Sequence, residues 1–339
     1  MKNKVKRSLL SLVLVGAMAV GITGCGTAKT SEPAASEGDS EATVAESDEL
    51  YIEVSALGSL PYFYDHKMGM EMAGKELGVR TEYVGPAELD MNAMVAAFEQ
   101  AIAKKPNGIL VVGFDPQLEP TIQKATDAGI PVVTLDADLP DSARIAFVGT
   151  GNVTAGRMGG EKLGELMEET GKMALIFNPG QSNLEERAAG YREAMEKFPG
   201  IEIVEEIDSQ QDSAITAQNV ATILQKHPDL KGIACLDGAS GSGAVTAVRE
   251  AGLSGAVKIV TMDRDGEVLD GIEEGIVSAS VAQQTALMPY YGVQILMNLN
   301  RSKIEITSDN AAAGVLGIPA VVDTGVVIID ADNVQYFKR

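Results

Sequence analysis

The sequence predicts an α/β protein made of two doubly wound lobes, each built on a parallel sheet. Two observations support this prediction. Short apolar runs alternate along the chain with longer segments in which apolar residues recur every three or four positions. Alternation of strands and helices is typical of parallel sheets that carry helices on both faces. In addition, the chain from residue 50 to residue 339 is long enough for two such domains.

Each element follows from its local pattern. The apolar runs predict buried strands at residues 50–56, 108–114, 131–135, 173–177, 232–236 and 258–262. The periodic segments predict helices that include residues 68–77, 91–103, 155–168, 184–198 and 214–224. In doubly wound folds ligands bind at the carboxyl ends of the strands, so the residues that directly follow each apolar run are the candidates for a site.

The first residues are typical of a bacterial export signal. A basic start is followed by an uncharged, largely apolar run at residues 8–20 and then by Thr23-Gly24-Cys25. The apolar run is too short for a membrane-spanning helix, which needs about 20 apolar residues. A cysteine after two small residues resembles a lipobox. We therefore expect residues 1–24 to be removed and Cys25 to anchor the chain, by a lipid, outside the bacterial cell membrane.

Residues 25–49 predict a disordered tether, because small, polar and acidic residues offer little apolar surface to bury. The whole chain has a formal net charge of −21, which makes nucleic acid an unfavourable partner. Once Cys25 is assigned to the anchor, Cys235 is the one remaining cysteine. It lies in an apolar run, and we expect it to be a buried small side chain.

Aromatic residues cluster after the first predicted strand, in a chain with 4% aromatic residues and no tryptophan. Tyr62 and Phe63 are placed to stack on the apolar face of a ring, and either Tyr64 or His66 could line the same wall. Packing in the core at the start of a helix is the alternative.

Aspartates follow the strands repeatedly. Carboxylates accept several hydrogen bonds, which suits the vicinal hydroxyls of a sugar or polyol, although aspartate is also a favoured helix N-cap. Arg187 lies near the start of a predicted helix, where a cation is unfavourable, so a ligand or neighbouring carboxylates would explain it better; pairing with surface glutamates is the alternative. The candidate acceptors are Asp136, Asp138, Asp237 and Asp263.

Six segments in order resemble the type I periplasmic sugar-binding proteins, the ribose-binding group. The resemblance covers residues 50 to 339. Its segments are Leu60-Pro61-Tyr62-Phe63, Leu135-Asp136-Ala137, Glu186-Arg187-Ala188-Ala189-Gly190-Tyr191, Asp237-Gly238, Thr261-Met262-Asp263 and Ala282-Gln283-Gln284-Thr285.

The resemblance implies a monomeric binding protein without catalytic activity, which holds a sugar or polyol in a cleft and delivers it to the permease of an ABC importer. It adds Gln283 to the site and implies a three-segment hinge near residues 150–152, 283–284 and 323–325. The lobes are then residues 50–150 with 284–322, and 151–283 with 323–339. Leu60, Ala137 and Asp237 replace the asparagine, arginine and asparagine that are usual in the group. The resemblance therefore does not identify ribose as the ligand. We expect no metal and no cofactor.

Two alternatives remain open. The same fold could present its ligand to a membrane kinase or chemoreceptor, and the residues do not separate this sensor from an importer component. The glycines of residues 238–243 open a predicted helix, and Asp263 ends the next strand, which loosely matches a dinucleotide-binding enzyme. The order of these glycines is not the usual one, and an exported protein has little access to such cofactors.

Overall fold

The computed structural model describes residues 47–301 and 304–338. The predicted signal, Cys25 and the predicted tether as far as residue 46 lie outside the described residues. The last tether residues are described and contact the folded body: the Ser47 N–H donates to the Gly78 carbonyl (3.0 Å), and Glu49 pairs with Arg301 (2.7 Å). Within the described ranges, none of the helices combines the length and the apolar character needed to cross a membrane.

The described residues form two six-stranded sheets. In the first sheet the strand order is β11-β5-β4-β3-β1-β2, and every pairing is parallel. Its strands are β1 (Leu50–Val54), β2 (Arg80–Val84), β3 (Gly108–Val112), β4 (Val132–Asp136), β5 (Ala146–Gly149) and β11 (Val321–Asp323).

The second sheet repeats this plan with the order β12-β10-β9-β8-β6-β7. Its pairings are parallel except at one edge, where β12 runs antiparallel to β10. Its strands are β6 (Thr170–Phe177), β7 (Gly200–Asp208), β8 (Leu230–Cys235), β9 (Lys258–Met262), β10 (Ala279–Gln283) and β12 (Val326–Ile329).

Helices cover both faces of each sheet. The helices are α1 (Pro61–Leu77), α2 (Met91–Ala103), α3 (Glu119–Asp127), α4 (Asn152–Leu166), α5 (Ser182–Met195), α6 (Ser213–Lys226), α7 (Gly238–Glu250), α8 (Gly266–Glu273) and α9 (Leu287–Arg301). In β1, Ile52 and Val54 point to one apolar cluster with α2 and α3, and Tyr51 points to another with α1 and α9. In the second sheet α4 and α5 cover one face, while α6, α7 and α8 cover the other.

The chain passes between the sheets three times: from β5 to α4, from β10 to α9, and from β11 to β12. These connections are tied to one another by hydrogen bonds. The Gly151 N–H donates to Asp323 Oδ1 (2.8 Å), and the Gln284 side chain donates to the Thr324 carbonyl (2.7 Å). The architecture is the two-lobe α/β fold with a three-segment connection that the sequence predicts.

Candidate functional site

Two aspartates end corresponding strands of the two lobes in the same unusual backbone conformation. Asp136, at the end of β4, has φ of 64°, and Asp263, directly after β9, has φ of 67°. At Asp136 the Ala137 N–H donates to the Leu135 carbonyl (2.7 Å), which closes a tight turn. A left-handed conformation costs a non-glycine residue about 1–3 kcal/mol, and such strain concentrates at functional sites. Both carboxylates are thereby fixed at the carboxyl edges of their sheets.

Tyr62, near the start of α1, forms a hydrogen bond with Asp136. Leu60 is extended and Pro61 opens α1, which sets Tyr62 in the first helical turn. The Tyr62 hydroxyl donates to Asp136 Oδ1 at 2.6 Å. Burial, followed by the carboxylates of Asp136 and Asp263, raises the pKa of Tyr62 well above its ordinary value. The phenol therefore stays protonated and remains a donor.

Asp263 has a perturbed carboxylate. Burial raises the pKa of Asp263 to about 6, although Arg187 and a hydrogen bond from Gln283 lower it in part. That bond runs from Gln283 Nε2 to Asp263 Oδ1 at 2.9 Å. A buried carboxylate that lacks sufficient donors favours a ligand that supplies hydroxyl donors.

Arg187, the cation that the sequence predicts for the site, is only 5% exposed. Its Nε donates to Asn152 Oδ1 (2.9 Å), and its Nη1 donates to the Leu236 carbonyl (3.0 Å). Close packing of α4 on α5 holds it there: a Cβ added to Gly156 would lie 2.0 Å from the Arg187 carbonyl oxygen. The guanidinium is thus fixed by protein contacts. It lies near enough to Tyr62 and Asp263 for its charge to offset part of the increase that burial causes in their pKa values.

Three other predicted residues have structural partners. Phe63 is 5% exposed and packs in the apolar cluster under α2 and α3. Asp138 pairs with Arg144, whose Nη2 lies 2.6 Å from Asp138 Oδ2, and accepts from the Thr134 hydroxyl (2.8 Å). Asp237 caps α7 by accepting from the Ser240 N–H at 2.8 Å. Core packing thus accounts for Phe63 and helix capping for Asp237, whereas an ion pair holds Asp138. The role of these three residues in binding stays a prediction.

A cavity of about 530 Å³ opens between α1 of the first lobe and α8 of the second lobe. Tyr62, Asp263 and Gln283 line one part of it, together with Tyr64, whose side chain is 57% exposed. The other lining residues are Asp65, Arg264, Asp265, Gly266, Leu269, Asp270, Thr285, Phe337 and Lys338. The cavity thus combines carboxylate and amide groups with aromatic surface, a mixture suited to a polyhydroxylated ligand with apolar faces.

The structure adds contacts that the sequence analysis did not identify. Asp65 on α1 forms an ion pair with Arg264, which follows β9, and accepts a hydrogen bond from the Thr285 hydroxyl (3.0 Å). A second pair, Glu53 with His66, is fully buried, and the His66 ring lies against the rings of Tyr62 and Phe63. The sequence does contain a sign of the buried pair, because Glu53 is a charged residue inside an apolar strand. No local feature of the sequence indicates the contact between Asp65 and Arg264.

The glycines of residues 238–243 serve packing in this fold. They lie inside α7, and a Cβ added to Gly243 would lie 2.5 Å from the Ser213 carbonyl oxygen of α6. This contact accounts for Gly243 without a bound phosphate. Cys235 is fully buried, and burial, followed by the charge of Asp237, raises the pKa of its thiol. Among the described residues, no group of three or more His, Cys, Asp or Glu side chains is arranged to hold a metal ion.

Comparison with known proteins identifies the class of protein to which this fold corresponds. A model of the periplasmic binding protein domain matches residues 54–303, so the chain belongs to that family. This result confirms the resemblance and the fold class predicted from the sequence.

Individual relatives narrow the class to sugar-binding proteins. The chain is 31% identical over 268 residues to the D-allose-binding periplasmic protein of Escherichia coli, covering 75% of this chain and 85% of that protein. A sugar-binding protein of a sugar ABC transporter from Bacillus halodurans has a similar structure, with a TM-score of 0.82, 35% identity, and coverage of 86% of this chain and 100% of that chain. An arabinose-binding protein from Geobacillus stearothermophilus has a TM-score of 0.81, 34% identity and the same coverage of both chains.

Proposed function

We propose that this protein captures a neutral sugar or polyol in the cleft between its lobes and delivers it to an ABC importer. The observation that carries the proposal is the convergence of Tyr62, Asp136, Asp263 and Gln283, with Arg187 behind them, at the strand ends beside the cavity. The sugar-binding relatives support the same function.

The chemistry of the site favours hydroxyl donors. The carboxylate oxygens of Asp136 and Asp263 accept hydrogen bonds, and Gln283 and Tyr62 can donate or accept. The carboxylates disfavour a phosphate or an acid sugar, because like charges at close range repel. Tyr62 and Tyr64 offer ring faces to the apolar side of a sugar. A ligand that lacks one of these hydroxyls would leave a buried acceptor unpaired, which gives strong discrimination.

The proposal extends to the cell envelope and to the way in which the protein acts. Cys25 carries the lipid anchor, the protein acts as a monomer, and it releases its ligand chemically unchanged. Membrane fractionation tests the anchor: a Cys25→Ser variant should move from the membrane fraction to the soluble fraction while its ligand affinity is retained. Retention of this variant in the membrane fraction would contradict the assignment of Cys25.

A thermal-shift screen of the purified protein tests the binding function. The panel contains D-allose, D-ribose, arabinose, xylose, xylitol and fructose, with amino acids and nicotinamide dinucleotides for comparison. A ligand that binds only the folded state raises the melting temperature by mass action. We expect one or a few sugars or polyols to give a saturable shift. A shift with dinucleotides and none with any sugar would overturn the proposal in favour of the enzyme alternative.

Site variants localise the binding. Asp263→Asn should abolish the sugar-induced shift, because it replaces a buried carboxylate of the cavity wall with a neutral amide. Asp141→Asn is the matched control: it removes the same charge from an exposed position shortly after β4 that does not line the cavity. An equal loss in both variants would point to a general charge effect and contradict the proposed site.

A further inference from the structure

A carboxylate lies in the middle of an apolar strand. Glu53 belongs to β1, which is sandwiched between β2 and β3, and each of its residues is buried. The Glu53 side chain is 0% exposed. An uncompensated charge in such a place is strongly destabilising, so a buried carboxylate of this kind requires a partner.

That partner is His66 of α1, which is also 0% exposed. His66 Nδ1 lies 2.7 Å from Glu53 Oε1, and among the described residues no hydrogen-bond partner is present for Glu53 Oε2 or for His66 Nε2. Burial by itself would lower the pKa of His66, but the charge and hydrogen bond of Glu53, with a contribution from Asp136, outweigh burial and raise it above 6.5. The contact with Glu53 therefore favours the protonated, positively charged form of His66.

The pair lies directly behind Tyr62, which lines the cavity. The His66 ring packs edge-on against Phe63, with ring centroids 5.1 Å apart, and lies 6.2 Å from the Tyr62 ring. Tyr62 in turn donates its hydroxyl to Asp136. A continuous set of contacts thus runs from Glu53, in the core, through His66 and Tyr62 to a carboxylate of the proposed ligand site.

We propose that Glu53 and His66 are positioning residues of the ligand site, and that the imidazolium of His66 holds Tyr62 in place and offsets the negative charge of Asp136. This inference rests on the proposed sugar-binding function. The sugar affinity is then coupled to a proton on a side chain that does not touch the sugar. Loss of that proton leaves Asp136 with less compensation and loosens the support of Tyr62.

The titratable groups around His66 come from three elements. Glu53 faces it from β1, Asp136 from the end of β4, and Tyr62 from its own helix. Tyr83 of β2 lies beside Glu53, but burial, as the largest cause, raises its pKa to about 12, so it stays neutral below pH 9. Asp263, with a pKa of about 6, is ionised from pH 7 upward. Changes in affinity between pH 7 and pH 9 therefore report on His66.

The chain has two histidines, His66 and His227, so its imidazole NMR spectrum is simple to assign. A His227→Gln variant identifies the His66 resonances, whose titration is followed from pH 5 to pH 9. The dissociation constant for the sugar that gives the largest thermal shift is measured over the same range. We expect His66 to titrate above pH 6.5, and the affinity to fall about fivefold with the same midpoint, at the lower end of the usual coupling between sites.

Glu53→Gln separates positioning from mere packing. It keeps the shape of the side chain but removes the charge that holds the proton, so both the His66 titration and the fall in affinity should move together to lower pH. His66→Gln, which removes the titrating group, should leave the affinity independent of pH between 7 and 9.

The inference is overturned if the wild-type affinity is constant between pH 7 and pH 9 while His66 titrates, a result that needs no variant. It is also overturned if Glu53→Gln lowers the melting temperature but leaves the pH dependence of binding unchanged. Absence of binding by the wild-type protein to every sugar at every pH is a different result, because it removes the proposed function itself.

Discussion

The Asp65 carboxylate on α1 and the Arg264 guanidinium after β9 form an ion pair that joins the two lobes across the cleft. Asp65 is buried and also accepts a hydrogen bond from Thr285, in the connection between β10 and α9. These contacts therefore link the first lobe, the second lobe and the connection between β10 and α9 at one side of the cavity. Contacts of this type can bias the equilibrium between open and closed arrangements of two lobes.

The ion pair should contribute to ligand affinity through lobe closure. Arg264→Gln should weaken sugar binding by about tenfold, because the binding-competent closed form becomes less populated. Asp65→Asn should have a similar effect, and calorimetric titration of the double variant should show less than the sum of the two losses. Strictly additive losses would show that the two side chains act independently.

Asp263 should make the folded protein less stable as pH rises. Its pKa is raised from 3.8 to about 6 in the folded state, so its contribution to stability is fully present below pH 3.8 and is lost as pH rises through about 6. Asp263→Asn removes this loss. The variant should gain up to about 3 kcal/mol in the free energy of unfolding relative to wild type between pH 4 and pH 7, less whatever partial solvent exposure screens. Urea denaturation across that range measures the difference, and parallel pH profiles of the two proteins would refute the assignment.

The backbone of Asp136 should favour glycine over alanine. At φ of 64° an alanine side chain is strained, so Asp136→Gly should be more stable than Asp136→Ala by about 1 kcal/mol, although both lose the carboxylate. Thermal denaturation of the two variants gives the comparison. The same two substitutions at Asp141, which has no positive φ, should show no preference for glycine. A preference for alanine at position 136 would contradict the strained turn.

The contact between α4 and α5 should be intolerant of added volume at Gly156. In Gly156→Ala the new Cβ would lie 2.0 Å from the Arg187 carbonyl oxygen. The substitution should therefore lower the free energy of unfolding by about 1–3 kcal/mol, and it should weaken sugar binding because Arg187 is displaced. Gly266→Ala serves as the stability control, because no atom lies within 4 Å of its added Cβ. Equal melting temperatures for the two variants would show that α4 and α5 can separate at little cost.

Local sequence patterns predicted six of the strands described by the structure, but not β5 or the fully buried β10. The central strands β3, β4, β8 and β9 were found because both faces of a parallel sheet are covered, which gives continuous apolar runs. The outer strands β2 and β7 were not predicted, because they lack a continuous apolar run. Arg80–Val84 is partly exposed throughout, and Gly200–Asp208 carries several glutamates on its exposed positions.

The sequence predicted that the candidate aspartates lie at strand ends, but it did not predict which contacts each aspartate makes. Asp136 and Asp263 were identified because they directly follow strands, and the fold places them at equivalent strand ends. Asp138 and Asp237 satisfied the same rule, yet Arg144 and the Ser240 N–H are their partners. Which role an aspartate takes depends on contacts with residues that no local pattern reveals. The same holds for the ion pair of Asp65 and Arg264, because these two residues lie on different lobes.

Calorimetric titration of the purified protein with the sugar that gives the largest thermal shift tests the central claim most directly. We expect one binding site per chain, a dissociation constant in the micromolar range or tighter, and loss of the binding heat in Asp263→Asn but not in Asp141→Asn. Binding that survives unchanged in Asp263→Asn and in Tyr62→Phe would contradict the claim that the sugar is held at the strand ends between the lobes.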